Sequence, residues 1–270
     1  MQIIRTGLLA AGAVIAAGSV QAAPLDAGQF ALSGSAGADF GLDGDVHGGA
    51  TAAVGSLRAL NPNLPAVPAE LRIESRSFDR IYGDATYLEL EGAYGLGNNR
   101  EVFLAVRHVE AGDGEVQVGT AFVPALNASL PVRGTFSDYK TTGVEVGLRQ
   151  HFGSGPLRPY VAARTGVADP QRIRASFVVP VPAGVGAEPN DIVLNDVPFY
   201  DGKPVWTAGL DLGVNYDLGE TLSIGAQGSL RYQADLKGDD SAIGGLGLGS
   251  INDDSARWTG SLGVRTTLKF

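Results

Sequence analysis

The amino-acid sequence predicts an all-β fold, an eight-stranded antiparallel up-and-down transmembrane β-barrel. Three observations lead to this fold class. Apolar and polar residues alternate with a period of two in eight segments, the connections between these segments are alternately short and long, and aromatic residues recur at both ends of the apolar faces. Because successive side chains of a strand point to opposite faces, such alternation indicates strands with one apolar and one polar face.

The N-terminal segment is set apart from the fold. Arg5 precedes an apolar run over residues 7–17, and Val20-Gln21-Ala22 follows with small residues at the cleavage positions. This order is typical of a secretory signal peptide. A membrane-crossing helix needs roughly 20 apolar residues, and this run is shorter. We therefore expect residues 1–22 to be a cleavable signal peptide and residues 23–270 to form the barrel.

The strands follow in order along the rest of the chain. The last segment is the clearest, with Leu262 and Val264 on one face and Arg265 on the other. The predicted strands are about 28–42, 80–96, 101–110, 138–152, 158–168, 204–216, 221–235 and 255–270. With an even number of antiparallel strands, a closed barrel has the N- and C-termini of the chain on the same side.

The connections alternate in length. Short turns are predicted at 97–99, 153–155 and 217–220, and long loops at 43–79, 111–137, 169–203 and 236–254. Short periplasmic turns and long extracellular loops are typical of outer-membrane barrels. The second and third loops keep alternating, at Val116–Val118 and Ile173–Val179. We therefore expect their strands to extend beyond the membrane and to offer edges for strand addition by a partner.

Aromatic residues mark the two ends of the apolar faces. At the short-turn end these are Phe30, Tyr94, Phe152, Tyr216 and Phe270, and at the long-loop end Phe40, Tyr82, Trp206, Tyr232 and Trp258. Ten residues at about 3.3 Å each and a tilt of about 40° rise roughly 25 Å, the height of the apolar band between aromatic girdles. Between the girdles almost no charge interrupts the apolar faces, with Asp84 the exception. A soluble β-sandwich also alternates, but these two features favour the barrel, which must close because lipid leaves no backbone group unpaired.

The polar faces are predicted to line the barrel interior. They carry the acidic residues Glu89, Glu91, Glu145 and Asp211 and the basic residues Arg107, Arg149, Arg164, Arg231 and Arg265. An eight-stranded barrel is just wide enough for its own side chains, and buried charges are tolerated when they are paired. This near balance predicts a salt-bridged, largely closed interior. A gated path for small solutes is the alternative.

Composition narrows the functional classes. The chain of 270 residues has no Cys and a formal net charge of -9. The missing cysteines exclude a disulfide framework, a thiolate metal site and a cysteine nucleophile. An acidic chain also lacks the basic stripe that a nucleic-acid backbone requires.

Candidate catalytic and metal-binding residues are few, so we expect no enzyme activity, no cofactor and no metal. His47 lies in a Gly-rich loop, and His108 and His151 fall near opposite ends of their strands, so each is interpreted as an ordinary rim or loop residue. The Gly-rich run 245–250 has no strand–helix unit around it and is predicted to be a flexible surface loop. The acidic loop residues Asp43, Asp45, Asp239, Asp240, Asp253 and Asp254 suit Ca²⁺ or Mg²⁺, but they are interpreted as solvated loop charges. A lipid-modifying enzyme is retained as a further alternative.

Several of these features together resemble one family. The segment 144–152 with its continuation 158–161, the final strand ending in Phe270, the leader and the alternating loops are similar to the small eight-stranded outer-membrane β-barrels of Gram-negative bacteria, the group of OmpA-like transmembrane domains and opacity-type surface proteins. The resemblance implies an outer-membrane location in contact with lipid and lipopolysaccharide. It also implies that the barrel-assembly machinery reads Phe270, and that the protein has a structural or surface-interaction role with an extracellular ligand bound through the loops.

Overall fold

Eight long antiparallel strands close into a barrel in the computed structural model of the chain, which describes residues 25–270. The strands are β1 (Phe30–Asp43), β2 (Asp45–His47), β3 (Ala50–Val54), β4 (Ala69–Ile73), β5 (Arg76–Ser77), β6 (Ala85–Gly97), β7 (Arg100–Ala111), β8 (Gly114–Val123), β9 (Ala128–Phe136), β10 (Tyr139–His151), β11 (Leu157–Pro170), β12 (Ile173–Val179), β13 (Ile192–Asp201), β14 (Val205–Asp217), β15 (Leu222–Gln233), β16 (Lys237–Gly238) and β17 (Arg257–Lys269). One α-helix, α1, spans Phe78–Tyr82, and 3-10 turns span Leu57–Ala59, Pro124–Leu126 and Gly244–Leu246.

Around its wall the barrel runs β1, β17, β15, β14, β11, β10, β7 and β6, and β6 returns to β1. Strands that follow one another along the chain are therefore neighbours in the wall, which is an up-and-down barrel. The predicted fold class is confirmed. The predicted signal peptide, residues 1–22, lies outside the described residues. Among residues 25–270, no helix combines the length and apolar character needed to cross a membrane.

The short turns have the geometry that tight hairpins need. Asn98 and Asn99 join β6 to β7 with φ angles of 52° and 60°. A two-residue hairpin turn of the type that matches strand twist requires positive φ at both central positions, and Asn tolerates this conformation. These two asparagines therefore set the register of the hairpin between β6 and β7.

The outer face of the wall is apolar. Leu212 is 66% exposed and Val264 67% exposed, and leucines and valines on the other barrel strands are exposed as well. Water-soluble proteins rarely expose a continuous apolar surface of this kind. We call this surface the belt and define it by the outward side chains Leu88, Leu90, Leu104, Val106, Val144, Val146, Leu148, Val161, Leu210, Leu212, Leu230, Leu262 and Val264.

Aromatic side chains lie at both ends of the belt. The five predicted at the short-turn end are all exposed, Phe270 most strongly. At the other end, the Tyr232 ring lies between those of Trp206 and Trp258, with centroid distances of 5.6 and 5.1 Å. Phe40 covers Gly260 on the adjacent strand, where a side-chain carbon would collide with its ring.

The prediction for Tyr82 is wrong. The second barrel strand begins at Ala85, and residues 78–82 form α1, so Asp84 also precedes the strand. The ring of Tyr82 packs 5.9 Å from that of Tyr139 and 6.1 Å from that of Phe78. The sequence at this point fits either an alternating strand or a single helical turn. The structure has the helical turn, which buries Phe78 and Ile81. Burial raises the pKa of the Tyr82 hydroxyl.

The long connections fold into a second layer at one end of the barrel. We call this layer the cap and define it as residues 44–84, 112–138, 171–204 and 234–256. Its main sheet has seven strands in the order β16, β13, β12, β9, β8, β4 and β3, and β2 pairs with β5 beside it. Loops two and three do form strands, as their alternation predicts, but β8, β9, β12 and β13 belong to the cap sheet and are not continuations of the barrel sheet. Their edges are not free for strand addition along β8, β9 and β12, because each of these strands is paired on both sides.

The cap has its own apolar core. Phe136, Phe199, Ile173 and Leu64 are fully buried in it. The interpretation of residues 245–250 as a flexible surface loop is wrong for Leu248, which is buried in this core, whereas Gly245, Gly247 and Ser250 are exposed as predicted. The glycines between the leucines let the chain bend while the leucines point inward.

Truncating a buried ring should loosen the cap. We expect Phe136→Ala to lower the free energy of unfolding of the cap by about 3–5 kcal/mol, since it removes a ring from a closely packed site. Amide hydrogen exchange of β9 and β12 measures this change. Leu126→Ala, at a cap residue that is 42% exposed, is the control and should change it by less than about 0.5 kcal/mol. Equal effects of the two changes would mean that Phe136 does not belong to a packed core.

Candidate functional site

The barrel interior contains the charged residues that the sequence singles out. All nine of them, Glu89, Glu91, Arg107, Glu145, Arg149, Arg164, Asp211, Arg231 and Arg265, are buried inside the wall. Strand alternation places them there, because each lies on the face opposite to the belt. They form two clusters, one toward the short turns and one toward the cap.

The cluster toward the short turns is centred on Glu91. Arg149 approaches this carboxylate with both terminal nitrogens, at 2.6 and 2.8 Å. Arg265 also donates with two nitrogens, one of them at 3.0 Å, and its guanidinium reaches Ser33 at 2.7 Å. Bidentate arginine–carboxylate pairs are among the strongest hydrogen-bonded contacts in proteins. Glu91 thus ties β6 to β10 and β17 across the interior.

The cluster toward the cap joins more strands. Arg164 donates to Glu89 at 2.8 Å, to Glu145 at 3.3 Å and to Asp211 through its Nε at 2.9 Å. Arg231 donates to Glu145 at 2.6 Å. Each acidic group in this cluster therefore faces at least one guanidinium, which is the condition under which buried charge is tolerated.

Sequence reasoning missed part of this network. Arg107 donates to Asp39 at 2.5 Å, Arg149 to Glu101 at 3.1 Å, and Arg158 and Lys269 both contact Asp217. The signal was present, since Asp39 and Glu101 lie on the polar faces of their strands. With these residues the ion pairs inside the barrel join seven acidic to seven basic side chains: Asp39, Glu89, Glu91, Glu101, Glu145, Asp211 and Asp217, with Arg107, Arg149, Arg158, Arg164, Arg231, Arg265 and Lys269.

Aromatic rings separate and cover the charged groups. The Arg107 guanidinium lies 3.6 Å from the centroid of the Tyr87 ring. Phe103 lies between the two clusters, with the Arg149 and Arg164 guanidinium carbons 4.6 and 5.0 Å from its ring centroid. Such contacts of a cation with a ring face are favourable and become stronger away from water.

Glycines on the interior face make room for these rings. A side-chain carbon at Gly147 would collide with the Phe103 ring, and one at Gly213 would collide with the Tyr160 ring. Each ring lies against the bare backbone of another strand. Glycine is therefore required at these two positions, because each ring lies too close to the backbone to leave room for a side chain.

The cap closes its end of the interior. Arg257 lies between the rings of Phe78 and Tyr139, with its guanidinium carbon 4.4 and 4.1 Å from their centroids. Its guanidinium also donates to the Tyr139 hydroxyl. Beneath this closure is a polar cavity of about 60 Å³ lined by residues that include Asp39, Glu145 and Arg231.

The three histidines occupy different environments. His108 faces outward and contacts Thr142 at 2.9 Å. His151 is buried inside the barrel with its Nε2 3.0 Å from Glu101. The interpretation of His47 as an ordinary loop residue is wrong, because its ring is only 1% exposed and lies in the cap core. Burial lowers the pKa of His47. Within residues 25–270, no three His, Asp or Glu side chains are grouped closely enough to hold a metal ion.

No protein-family model matches the sequence, and no curated protein matches it. Among solved structures, Neisserial surface protein A is 14% identical with a TM-score of 0.41, and the match covers 90% of this chain and 98% of that one. The outer membrane protein OprG from Pseudomonas aeruginosa is 13% identical with a TM-score of 0.38, covering 93% and 99%. The outer membrane protease OmpT from Escherichia coli is 7% identical with a TM-score of 0.39, covering 90% and 97%.

Removing the charge at the centre of the first cluster should destabilise the barrel. We expect Glu91→Gln to lower the free energy of unfolding by about 3–5 kcal/mol, because two buried guanidinium groups lose their shared carboxylate. Urea unfolding of the protein refolded into lipid vesicles measures this change. Glu110→Gln breaks an exposed pair with Lys140 and should cost less than about 1 kcal/mol. A loss at Glu91 as small as that at Glu110 would contradict the buried network.

Proposed function

We propose that this chain is an outer-membrane β-barrel protein of a Gram-negative bacterium, with a structural or surface-interaction role and a largely closed interior. The observation that carries the proposal is the inversion of the barrel: the apolar belt points outward while paired charges fill the inside. In water this arrangement would expose apolar surface, which is unfavourable in free energy. In a bilayer the belt contacts lipid and the charges are kept from it.

Closure of the wall supports the location. A sheet in lipid must leave no backbone group unpaired, and a closed barrel meets this requirement. Aromatic side chains at both ends of the belt fit the two interfaces between lipid and water. Phe270, at the end of the last strand, is 73% exposed, which suits its proposed role as the residue that the barrel-assembly machinery reads.

The cap supports a role at the cell surface. Long connections lie on the extracellular side of barrels of this kind, and here they form a packed layer with about twice as many acidic as basic residues. Lipopolysaccharide and an extracellular ligand are the proposed contacts of this layer. A non-enzymatic role is proposed because the buried charged groups are engaged with one another.

A narrow channel for small solutes is the second candidate. The polar cavity beneath Arg257 favours it, because this is where the charged interior meets the cap. Single-channel recording on protein refolded into planar bilayers separates the two proposals. A largely closed interior predicts no repeatable conductance steps. Conductance steps of uniform size in most insertions would contradict the closed interior and support the channel instead.

The proposed location predicts a specific behaviour on fractionation. The protein should appear in the outer-membrane fraction, and an unboiled sample should migrate differently from a boiled one on a denaturing gel, since a closed barrel resists detergent until it is heated. A monomeric protein in the soluble fraction without detergent would contradict the proposal.

A charge placed in the belt tests contact with lipid. Val264→Arg should lower the free energy of unfolding by about 2–4 kcal/mol, as expected for arginine near the bilayer midplane. The matched control is Val193→Arg in the cap, where the side chain is also exposed, at 44%. Unfolding in lipid vesicles should show a change of less than about 0.5 kcal/mol there. If both positions tolerate arginine equally, the belt faces water.

A further inference from the structure

A groove of about 410 Å³ lies on the outer face of the barrel wall, at the short-turn end of the belt. Its lining is almost wholly apolar. We call it the Gly92 groove and define it by Phe30, Gly92, Tyr94, Val102, Leu104 and Val146. Sites that hold small molecules have volumes of about 300–1,000 Å³. The groove is therefore large enough to hold part of a ligand, and it is open to the surroundings of the barrel.

The groove exists because Gly92 leaves a gap in the belt. A side-chain carbon at this exposed glycine would meet nothing within 4 Å. Leu104 lies opposite Gly92 on β7, and Val146 lies opposite Leu104 on β10. The rings of Phe30 and Tyr94, with centroids 5.0 Å apart, form the end of the groove nearest the short turns. Apolar walls around a stretch of bare backbone suit a flexible hydrocarbon chain.

A cation lies just beyond this end of the groove. Arg100 follows the turn between β6 and β7, on the same face of β7 as Val102 and about 7 Å from it along the strand. Its side chain is exposed, and its Nε donates to Oε1 of Gln150 at 3.0 Å. The terminal nitrogens of Arg100 make no hydrogen bond or ion pair with residues 25–270. They can therefore donate side by side to two oxygens of one phosphate.

The charge of Arg100 is set apart from the ion pairs of the barrel. Within residues 25–270, the other basic side chains at the short-turn end are paired with acidic groups inside the wall, and these are Arg149, Arg158, Arg265 and Lys269. Arg100 thus faces the surroundings of the barrel with an uncompensated charge beside an apolar groove. A molecule with an anionic head and a hydrocarbon chain complements both features.

We propose that the Gly92 groove and Arg100 together bind one phospholipid with an anionic headgroup. One acyl chain lies in the groove over Gly92, and the phosphate accepts hydrogen bonds from the terminal nitrogens of Arg100. Short turns lie on the periplasmic side of barrels of this kind, so the lipid comes from the periplasmic leaflet, opposite to the lipopolysaccharide. This inference rests on the proposed location of the protein in the outer membrane.

Native mass spectrometry of the protein in detergent counts the lipids that it retains. Titration with phosphatidylglycerol should give a complex with one lipid at lower concentrations than complexes with two or more. Phosphatidylcholine with the same acyl chains should bind more weakly, because its quaternary ammonium offsets the charge of the phosphate.

Two variants divide the site into its apolar and its charged part. Gly92→Leu fills the groove without a collision, and the apparent dissociation constant for the first phosphatidylglycerol should rise about tenfold or more, the equivalent of about two buried methylene groups. Arg100→Gln should raise it about tenfold, the equivalent of one hydrogen bond to a charged group.

Each variant has a matched control. Gly228→Leu adds the same side chain on the outer face of β15, three strands away around the wall from β6, where a side-chain carbon would make ordinary contacts at 3.5 Å or more. Arg80→Gln removes an exposed charge from α1 in the cap. Neither change should alter the dissociation constant, and a heat-dependent shift on a denaturing gel verifies that each variant is a closed barrel.

The site and the membrane location fail in different ways. A closed barrel that binds phosphatidylglycerol equally well as Gly92→Leu and as Gly228→Leu, or as Arg100→Gln and as Arg80→Gln, would overturn the lipid site alone. Retention of many lipids with no preference for the first would also overturn it. A soluble chain without a heat-dependent shift would overturn both proposals. If Gly92→Leu does not assemble, the comparison of Arg100→Gln with Arg80→Gln decides.

Discussion

The hydrogen-bonded pairing of β1 with β17 closes the barrel, and most other features depend on it. From Ala31 opposite Lys269 to Phe40 opposite Gly260 the pairing runs without a break. Closure leaves the wall with no free edge, and it fixes which face of every strand points inward. Once that is set, the inward polar residues of all eight strands share one interior. There, ion pairs join neighbouring strands, as Arg149 and Glu101 do, and strands further apart around the wall, as Arg231 and Glu145 do.

The same interior face changes its chemistry along the strands. On β7, Arg107 belongs to the ionic clusters, but Val109 and Ala111, further toward the cap, belong to the apolar core. On β10, Glu145 is followed in the same direction by Thr141 and Tyr139. Inside the belt, polar groups fill the barrel and apolar groups surround it, whereas the cap has an apolar interior like any water-soluble sheet. The ionic interior of the barrel and the apolar core of the cap meet at the level of Tyr139 and Arg257.

The barrel could be predicted from the sequence because alternation, turns and girdles are local signals. The facing of Arg265 and Val264 follows from their adjacency alone. Tyr82 and His47 could not be placed in this way, because their positions depend on rings from distant parts of the chain. Tyr82 packs against Tyr139, and His47 packs against Phe136 and Phe199. The partner of each interior charge was equally hidden, since it depends on strand order and register. The site could thus be predicted as a set of residues but not as a set of pairs.

The pairing of seven acids with seven bases has a consequence for how copies of the protein meet one another. Because these fourteen charges cancel one another, the negative charge that a neighbour senses comes chiefly from the cap. Copies anchored side by side would repel chiefly through their caps, over a Debye length of about 8 Å at physiological ionic strength. Lateral spacing would then follow the salt content of the medium, while the inner clusters, shielded from that medium, keep the same geometry.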